Sequence, residues 1–320
     1  MLRFWVLGFL VANLPLEVCF ANEDAELAMN RKQIQFKSTG DGSTQSAFLI
    51  VPPSKDGVQK SVPLVVSLHS WSADLNQRND LEKLVFNRGW LYLFPNFRGA
   101  NRTPQACASI LAQQDILDAV SYVSDHYLVD QDRIYLTGTS GGGHMTMLMA
   151  ARYPKRWRAA SAWVGISDLV QWHALHRGTK YGNMIEQCCG GAPGDSAEVD
   201  AEYKARSPIT HLADAREVPL DICAGIKDGH KGSVPIIHSI NAFNAIAKAR
   251  GDRLVTEAEI LQLSRPGRLE NALDHDEGFD STFKRKYFLR RQSGQARLTI
   301  FDGGHEGIAT ATIAWFESHP

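Results

Sequence analysis

Residues 133–143 read RIYLTGTSGGG, and the GTSGG within them has the form G-x-S-x-G with Ser140 at its centre. An apolar, strand-like run precedes this pentapeptide, and the helix-like segment Gly142–Tyr153 follows it. A strand that turns sharply into a helix at such a pattern exposes a serine hydroxyl at the edge of a sheet. The glycines leave room for the tight backbone and for close packing of the helix. This setting predicts that Ser140 is a nucleophile.

Around this stretch, short apolar runs alternate with segments of helical periodicity, as in a mostly parallel sheet with helices on both faces. Seven strands are predicted: Ala47–Val51, Pro63–Leu68, Trp90–Phe94, Arg133–Thr137, Ala159–Val164, Pro219–Ala224 and Arg297–Phe301. Two polar stretches, about 171–215 and 252–295, interrupt the alternation and are predicted to be insertions into one scaffold. The prediction is therefore an α/β fold, with a single catalytic domain over residues 22–320.

The N-terminus has the order of a secretory signal peptide. The basic residue Arg3 and the apolar run Phe4–Leu14 lead to small residues around Ala21, so we predict a signal peptide over residues 1–21. A buried N-terminal helix and a lipoprotein with Cys19 lipidated are the alternatives. The apolar run is too short to cross a bilayer, so no stable membrane span is expected in the mature chain. The expected location is secreted or periplasmic.

The charge balance and the cysteines restrict the partners. Lys and Arg total 34 against 35 for Asp and Glu, so no basic field is available to attract nucleic acid. Four cysteines would remain after cleavage, and an oxidising compartment permits disulfides among them in three complete pairings. They lack the CxxC spacing of a zinc site, so neither a metal nor another cofactor is predicted. These cysteines are Cys107, Cys188, Cys189 and Cys223.

A serine hydroxyl needs a histidine to accept its proton and a carboxylate to orient that histidine. Both should lie on loops after later strands. His305 is the leading base because it follows the last predicted strand on a Gly-rich loop. Asp228, after the strand Pro219–Ala224, is the leading acid, with Asp168 and Asp302 as alternatives. The other histidines considered as the base are His69, His144, His230 and His275.

Two backbone amides are candidates for binding the negatively charged oxygen that would form during acyl transfer. Gly141 supplies one at the start of the helix, and Trp71 supplies the other from the loop HSWS, residues 69–72, in which Ser70 replaces the more usual glycine. His69, Trp163 and Trp172 are predicted to bind substrate. The two tryptophans lie at or beyond strand ends, where their faces could stack on sugar rings, with core packing as the alternative for Trp163.

The motif around Ser140 and three later landmarks resemble the prolyl-oligopeptidase-like and carbohydrate-esterase-like branch of the α/β-hydrolase superfamily. The landmarks are SPI at 207–209, KDG at 227–229 and GGHE at 303–306. The resemblance extends in order from about residue 45 to residue 320. It implies an α/β-hydrolase fold with Ser140 as nucleophile, Asp228 as acid and His305 as base.

The expected activity is that of a serine carboxylic-ester hydrolase working through an acyl-enzyme. Its substrate would be a small-molecule or polysaccharide-linked ester, with an acetylated or feruloylated carbohydrate as the favoured class. A small prolyl-oligopeptidase-like serine exopeptidase is the second hypothesis. A non-catalytic carbohydrate-binding protein on a hydrolase scaffold is a third, from a different class of function.

Overall fold

The computed structural model describes residues 25–53, 60–265 and 267–320. The predicted signal peptide, residues 1–21, lies outside these ranges. The described chain begins in a helix, α1, whose described part is residues 25–30. Within the three described ranges, no helix combines the length and the apolar character needed to cross a membrane.

A ten-stranded sheet forms the centre of the molecule. Its strands are β1 (Arg31–Lys37), β2 (Thr44–Ile50), β3 (Val62–Leu68), β4 (Leu91–Pro95), β5 (Val129–Thr139), β6 (Ala159–Trp163), β7 (Leu220–Gly225), β8 (Gly278–Asp280), β9 (Arg285–Ser293) and β10 (Ala296–Phe301). Their order across the sheet is β1-β2-β4-β3-β5-β6-β7-β10-β9-β8. The six strands from β4 to β10 in this order pair in parallel, whereas the strands at both edges pair antiparallel.

Helices cover both faces of this sheet. They are α2 (Leu81–Asn87), α3 (Ile110–His126), α4 (Gly141–Arg152), α5 (Leu169–His176), α6 (Lys180–Cys189), α7 (Ala197–Arg206), α8 (Ile237–Arg250), α9 (Glu257–Ser264) and α10 (Ala309–Glu317), with 3-10 turns at Pro208–Thr210 and Leu212–Ala215. Leu64 and Val66 of β3 pack in one hydrophobic cluster with α3, α4 and α8, whereas Val65 packs in another with α2 and α10. Successive side chains of a strand point to opposite faces, so the central strands are apolar on both.

The α/β architecture and all seven predicted strands are confirmed, but three further strands were not predicted. These are β1, β8 and β9, which lie in the antiparallel edges of the sheet. Strand β9 reads RKYFLRRQS, and its Arg291 is paired with the buried Asp276 at 2.6 Å. The central strands are predicted from their continuous apolar runs. Edge strands can carry charged side chains and therefore lack such a run, so the sequence does not reveal them. The second polar stretch therefore extends the sheet through β8 and β9.

Candidate active site

The turn between β5 and α4 carries Ser140 in a backbone conformation that side chains rarely adopt. Its φ is 61° and its ψ is −117°. The Ser140 amide donates to the Trp163 carbonyl at 2.8 Å, and the Ser140 carbonyl accepts from the His144 amide at 2.9 Å. A Cβ on Gly138 would lie 2.5 Å from the backbone of Gly142, so the turn closes only with glycine there. The surrounding structure thus holds Ser140 in a strained turn.

Asp228 and His305 form a hydrogen-bonded pair. They follow β7 and β10, which are adjacent parallel strands, so both loops emerge at the same edge of the sheet. His305 Nδ1 lies 2.7 Å from Asp228 Oδ2, and the carboxylate is fully buried. The other oxygen, Oδ1, accepts from the amides of Gly229 and Val234. Because a carboxylate only accepts, Nδ1 carries the proton and Nε2 is left to act as a base.

The loop that carries His305 packs against the nucleophile turn. A Cβ on Gly307 would lie 2.5 Å from the Thr139 hydroxyl, so the two loops are in direct contact at this point. Arg285 of β9 anchors the same loop through two hydrogen bonds to Glu306, at 2.6 and 2.9 Å. These bonds lower the pKa of Glu306. The sequence alone assigns no role to Arg285, whose contact to Glu306 forms only in the folded protein.

Gly232 lies directly against the Asp228–His305 pair. A Cβ at this position would come within 2.0 Å of Asp228 Oδ1 and 2.9 Å of His305 Cβ. Sequence reasoning missed this residue because it belongs to no motif and its contacts arise only when the two loops meet.

We therefore expect Gly232→Ala to displace the acid or the base. A misplacement of about 1 Å near reacting groups costs roughly 100-fold in rate, so kcat should fall about 100-fold with KM nearly unchanged. The matched control is Gly304→Ala, because a Cβ on Gly304 meets open space. Steady-state kinetics on one activated ester compares the variants, and equal effects of the two substitutions would contradict the assignment.

The two predicted oxyanion-binding amides lie side by side. A Cβ on Gly141 would lie 2.3 Å from the Trp71 nitrogen, so only glycine permits this approach. Among the described residues, neither the Gly141 nor the Trp71 amide has a hydrogen-bond acceptor. The preceding amide, that of Ser70, donates to Gln77 Oε1 at 2.9 Å and anchors the loop. Ser70 has no positive φ, so its replacement of the usual glycine costs no backbone strain.

The three residues predicted to bind substrate are buried. His69, Trp163 and Trp172 are exposed by 1%, 1% and 0%. Both ring nitrogens of His69 lie 2.9 Å from backbone carbonyl oxygens, and the Trp172 indole donates to the Ser233 carbonyl. The faces of these rings are therefore closed to a sugar, and this placement does not support the predicted stacking. Trp172 is buried because α5, α6 and α7 build a hydrophobic cluster of their own over Trp71.

The alternative acids lie elsewhere. Asp168 caps α5 by accepting from the amides of Val170 and Gln171. Asp302 pairs with Lys227 at 2.6 Å on the surface. Of the three candidate carboxylates, Asp228 is the one that the structure brings to His305.

The four cysteines of the described chain are buried free thiols. Burial, and secondly a hydrogen bond to Cys188, raise the pKa of the Cys107 thiol. Among the residues that the structure describes, no group of three or more His, Cys, Asp and Glu side chains could hold a metal ion.

Two further histidines behind the site are buried, and burial lowers their pKa values. The pKa of His144 falls to about 4 and that of His238 to about 3. His144 Nε2 donates to the Arg206 carbonyl at 2.8 Å, and its buried Nδ1 has no partner among the residues that the structure describes. The folded protein therefore holds both rings neutral at a pH where the unfolded chain protonates them.

This difference predicts a loss of stability in mild acid. In the unfolded chain a histidine has a pKa of about 6.5, so below this pH the unfolded chain binds more protons than the folded protein. The free energy of unfolding therefore decreases as the pH is lowered. Each histidine should contribute a loss of about 2 kcal/mol between pH 7 and pH 5. Urea denaturation at pH 7 and at pH 5 measures the decrease in the free energy of unfolding. In His144→Gln this decrease should be about 2 kcal/mol smaller than in the wild type. An unchanged pH dependence in both His144→Gln and His238→Gln would contradict the prediction.

Comparisons with known proteins identify the family of the chain. The family model of the prolyl oligopeptidase family matches residues 78–258, more than half of the chain. A probable acetylxylan esterase A of Aspergillus flavus is 37% identical over 142 residues, which are 41% of this chain and 46% of that protein. The uncharacterized peptidase YtmA of Bacillus subtilis is 26% identical over 155 residues, which are 48% of this chain and 56% of that protein.

The chain thus spans about half the length of these two relatives. A solved puromycin-hydrolyzing peptidase of Mycobacterium tuberculosis superimposes with a TM-score of 0.61 at 17% identity, covering 90% of this chain and 39% of that one. This structural likeness supports the fold. The family match begins just before α2, includes the nucleophile turn and the Asp228 loop, and ends at the start of α9. The chain therefore belongs to the prolyl oligopeptidase family of serine hydrolases.

Proposed function

We propose that the protein is a serine carboxylic-ester hydrolase that forms an acyl-enzyme on Ser140 and acts on acylated carbohydrate. The observation that carries the proposal is the 2.7 Å hydrogen bond between Asp228 and His305, in which the loop of His305 packs against the turn of Ser140. His305 takes the Ser140 proton as the hydroxyl attacks the ester carbonyl, and the Trp71 and Gly141 amides bind the oxygen that becomes negative. The similarity to an acetylxylan esterase supports an acetyl ester on a sugar as the substrate class.

Intact-mass and peptide analysis test the covalent step. A fluorophosphonate probe should label the folded wild type at Ser140 alone, and a rapidly quenched reaction with 4-nitrophenyl acetate should add one acetyl group to the same peptide. Unfolded protein is the control, because only the folded site activates the hydroxyl. Labelling at another residue would reject Ser140 as the nucleophile. No labelling in the folded state would reject the mechanism and favour the non-catalytic carbohydrate-binding hypothesis.

A small serine exopeptidase is the second candidate, favoured by the similarity to the peptidase YtmA. The two candidates differ in the leaving group, since an ester releases an alcohol and a peptide releases an amine. A panel of acetylated glycosides, feruloyl esters and aminoacyl 4-nitroanilides distinguishes them. The proposal expects turnover of the acyl glycosides and little of the anilides, and the reverse order of kcat/KM would establish the peptidase.

The proposed location is outside the cytoplasm, on the basis of the N-terminal sequence alone. The order of Arg3, the apolar run and Ala21 supports export. N-terminal sequencing of the protein recovered from the producing cell tests this, with a start at Asn22 as the expected result. An N-terminus that still contains residues 1–21 would reject cleavage at this site.

A further inference from the structure

A cavity of about 340 Å³ lies beside the nucleophile turn, on the face of the sheet that α2 and α10 cover. Small-molecule sites typically have volumes of about 300–1,000 Å³, so the cavity can hold a ligand of modest size. Its wall includes Ser70, Thr139 and Gly307. These three lie within two positions of the oxyanion amide of Trp71, of Ser140 and of His305. The cavity is therefore lined by chain neighbours of all three parts of the candidate active site.

The position of the cavity relative to His305 indicates which half of a substrate it would receive. During acyl transfer the histidine returns its proton to the leaving group, so the leaving oxygen must lie on the histidine side of the acyl carbon. Gly307 and the first residues of α10 directly follow His305 in the chain and form one wall of the cavity. The cavity thus shares a wall with the segment that follows His305, the residue from which a departing alcohol takes its proton.

The wall is rich in groups that bind hydroxyls. Gln77 Oε1 is occupied by the Ser70 amide, but among the described residues its side-chain nitrogen has no acceptor. The Thr139 hydroxyl likewise has no partner in the described chain. Trp163 also lines the cavity, and within the described part of the chain its buried indole Nε1–H has no acceptor. Of these three groups only the Trp163 Nε1–H is buried, and a buried donor is costly unless a ligand or water satisfies it. The side chains of Gln77 and Thr139 are half-buried, and a hydroxyl-rich ligand offers acceptors to both.

We infer that this cavity is the subsite for the leaving alcohol and that it selects a polyhydroxylated alcohol the size of a single pyranoside. The inference rests on the proposed ester hydrolysis. In the step concerned, the bond from Ser140 Oγ to the acyl carbon forms, the bond from that carbon to the alcohol oxygen breaks, and His305 gives its proton to the alcohol. Gln77 determines specificity by donating to a hydroxyl of this alcohol, while its oxygen holds the loop of Trp71.

Two variants and two substrates test the subsite. Gln77→Glu keeps an oxygen for the Ser70 amide but removes both donors, and Ala309→Leu narrows the cavity from α10. The substrates share the acetyl group: a monoacetylated methyl xylopyranoside and ethyl acetate. Ala309→Leu leaves Gln77 and the loop of Trp71 intact, so it should lower kcat/KM for the glycoside about 10-fold and change that for ethyl acetate less than about twofold. Gln77→Glu loses one hydrogen bond to the glycoside, which is worth about 10-fold, so it should lower kcat/KM for the glycoside about 10-fold more than it lowers that for ethyl acetate. Equal effects on both substrates, or no effect on either, would overturn the inference.

A binding measurement separates this inference from the proposed function. Saturation-transfer NMR with free methyl xylopyranoside should detect binding to the wild type and weaker binding to both variants, whether or not esters are hydrolysed. If the wild type binds the glycoside in this way but hydrolyses no ester, the subsite stands and the proposed function fails. If it hydrolyses esters and the glycoside does not bind, the subsite is wrong and the hydrolase remains.

Discussion

Ser140→Ala should lower kcat/KM for 4-nitrophenyl acetate by about 10⁴-fold or more, the size of effect seen when a serine nucleophile is removed from a hydrolase. The reason is specific to the hydroxyl. Alanine has a Cβ as serine does, so it adopts the same strained φ of 61° and leaves the turn, the Trp163 hydrogen bond and the helix start in place. The remaining rate should come from the Gly141 and Trp71 amides, which polarise the carbonyl without forming an acyl-enzyme.

The control for this variant is Ser281→Ala, which removes an exposed serine hydroxyl. It should retain full activity, and both variants should give the circular dichroism and unfolding midpoint of a folded protein. Hydrolysis by Ser140→Ala at the wild-type rate, in protein free of contaminating esterase, would exclude Ser140 as the nucleophile.

Asp228→Asn should lower kcat by roughly 10⁴-fold, as expected when an amide replaces the orienting carboxylate of a catalytic histidine. The hydrogen bonds explain the size of this effect. The amides of Gly229 and Val234 donate to Oδ1, so the oxygen of asparagine stays there and its NH₂ group faces His305. His305 Nδ1 must then accept, its proton moves to Nε2, and the ring cannot take a proton from Ser140.

Asp168→Asn is the matched control for the acid. Asparagine caps a helix about as well as aspartate, so α5 should persist and activity should change less than about threefold. Kinetics of the two variants on the same ester, with KM and kcat resolved, decides between the carboxylates. A larger loss in Asp168→Asn than in Asp228→Asn would reverse the assignment.

Residues whose roles depend on their place along one strand could be predicted from the sequence. The central strands are apolar on both faces, and Ser140, Asp228 and His305 each follow one of them at the same edge of the sheet. Their placement after these strands depends on no contact between loops. For this reason the sequence alone predicts the candidate nucleophile and base and the leading acid.

Residues whose roles depend on contacts between distant segments could not be predicted in this way. Gly232 matters because two loops close on it, and Arg285 matters because β9 passes beside Glu306. Trp172 stands in a stretch that is polar on average, yet three short helices fold its indole into their own core. Neither periodicity nor a motif records such contacts, which are formed only when the chain is folded.

At position 140 the residue that catalysis requires is also one that destabilises the fold. A side chain held at φ 61° and ψ −117° stores strain of about 1–3 kcal/mol, and glycine would release part of it. Ser140→Gly should therefore unfold at a higher urea concentration than Ser140→Ala, although both lack the hydroxyl. In a homologue that no longer needs catalysis, a change from serine to glycine at this position would increase stability. Natural selection for turnover would then be the force that keeps a side chain at this turn.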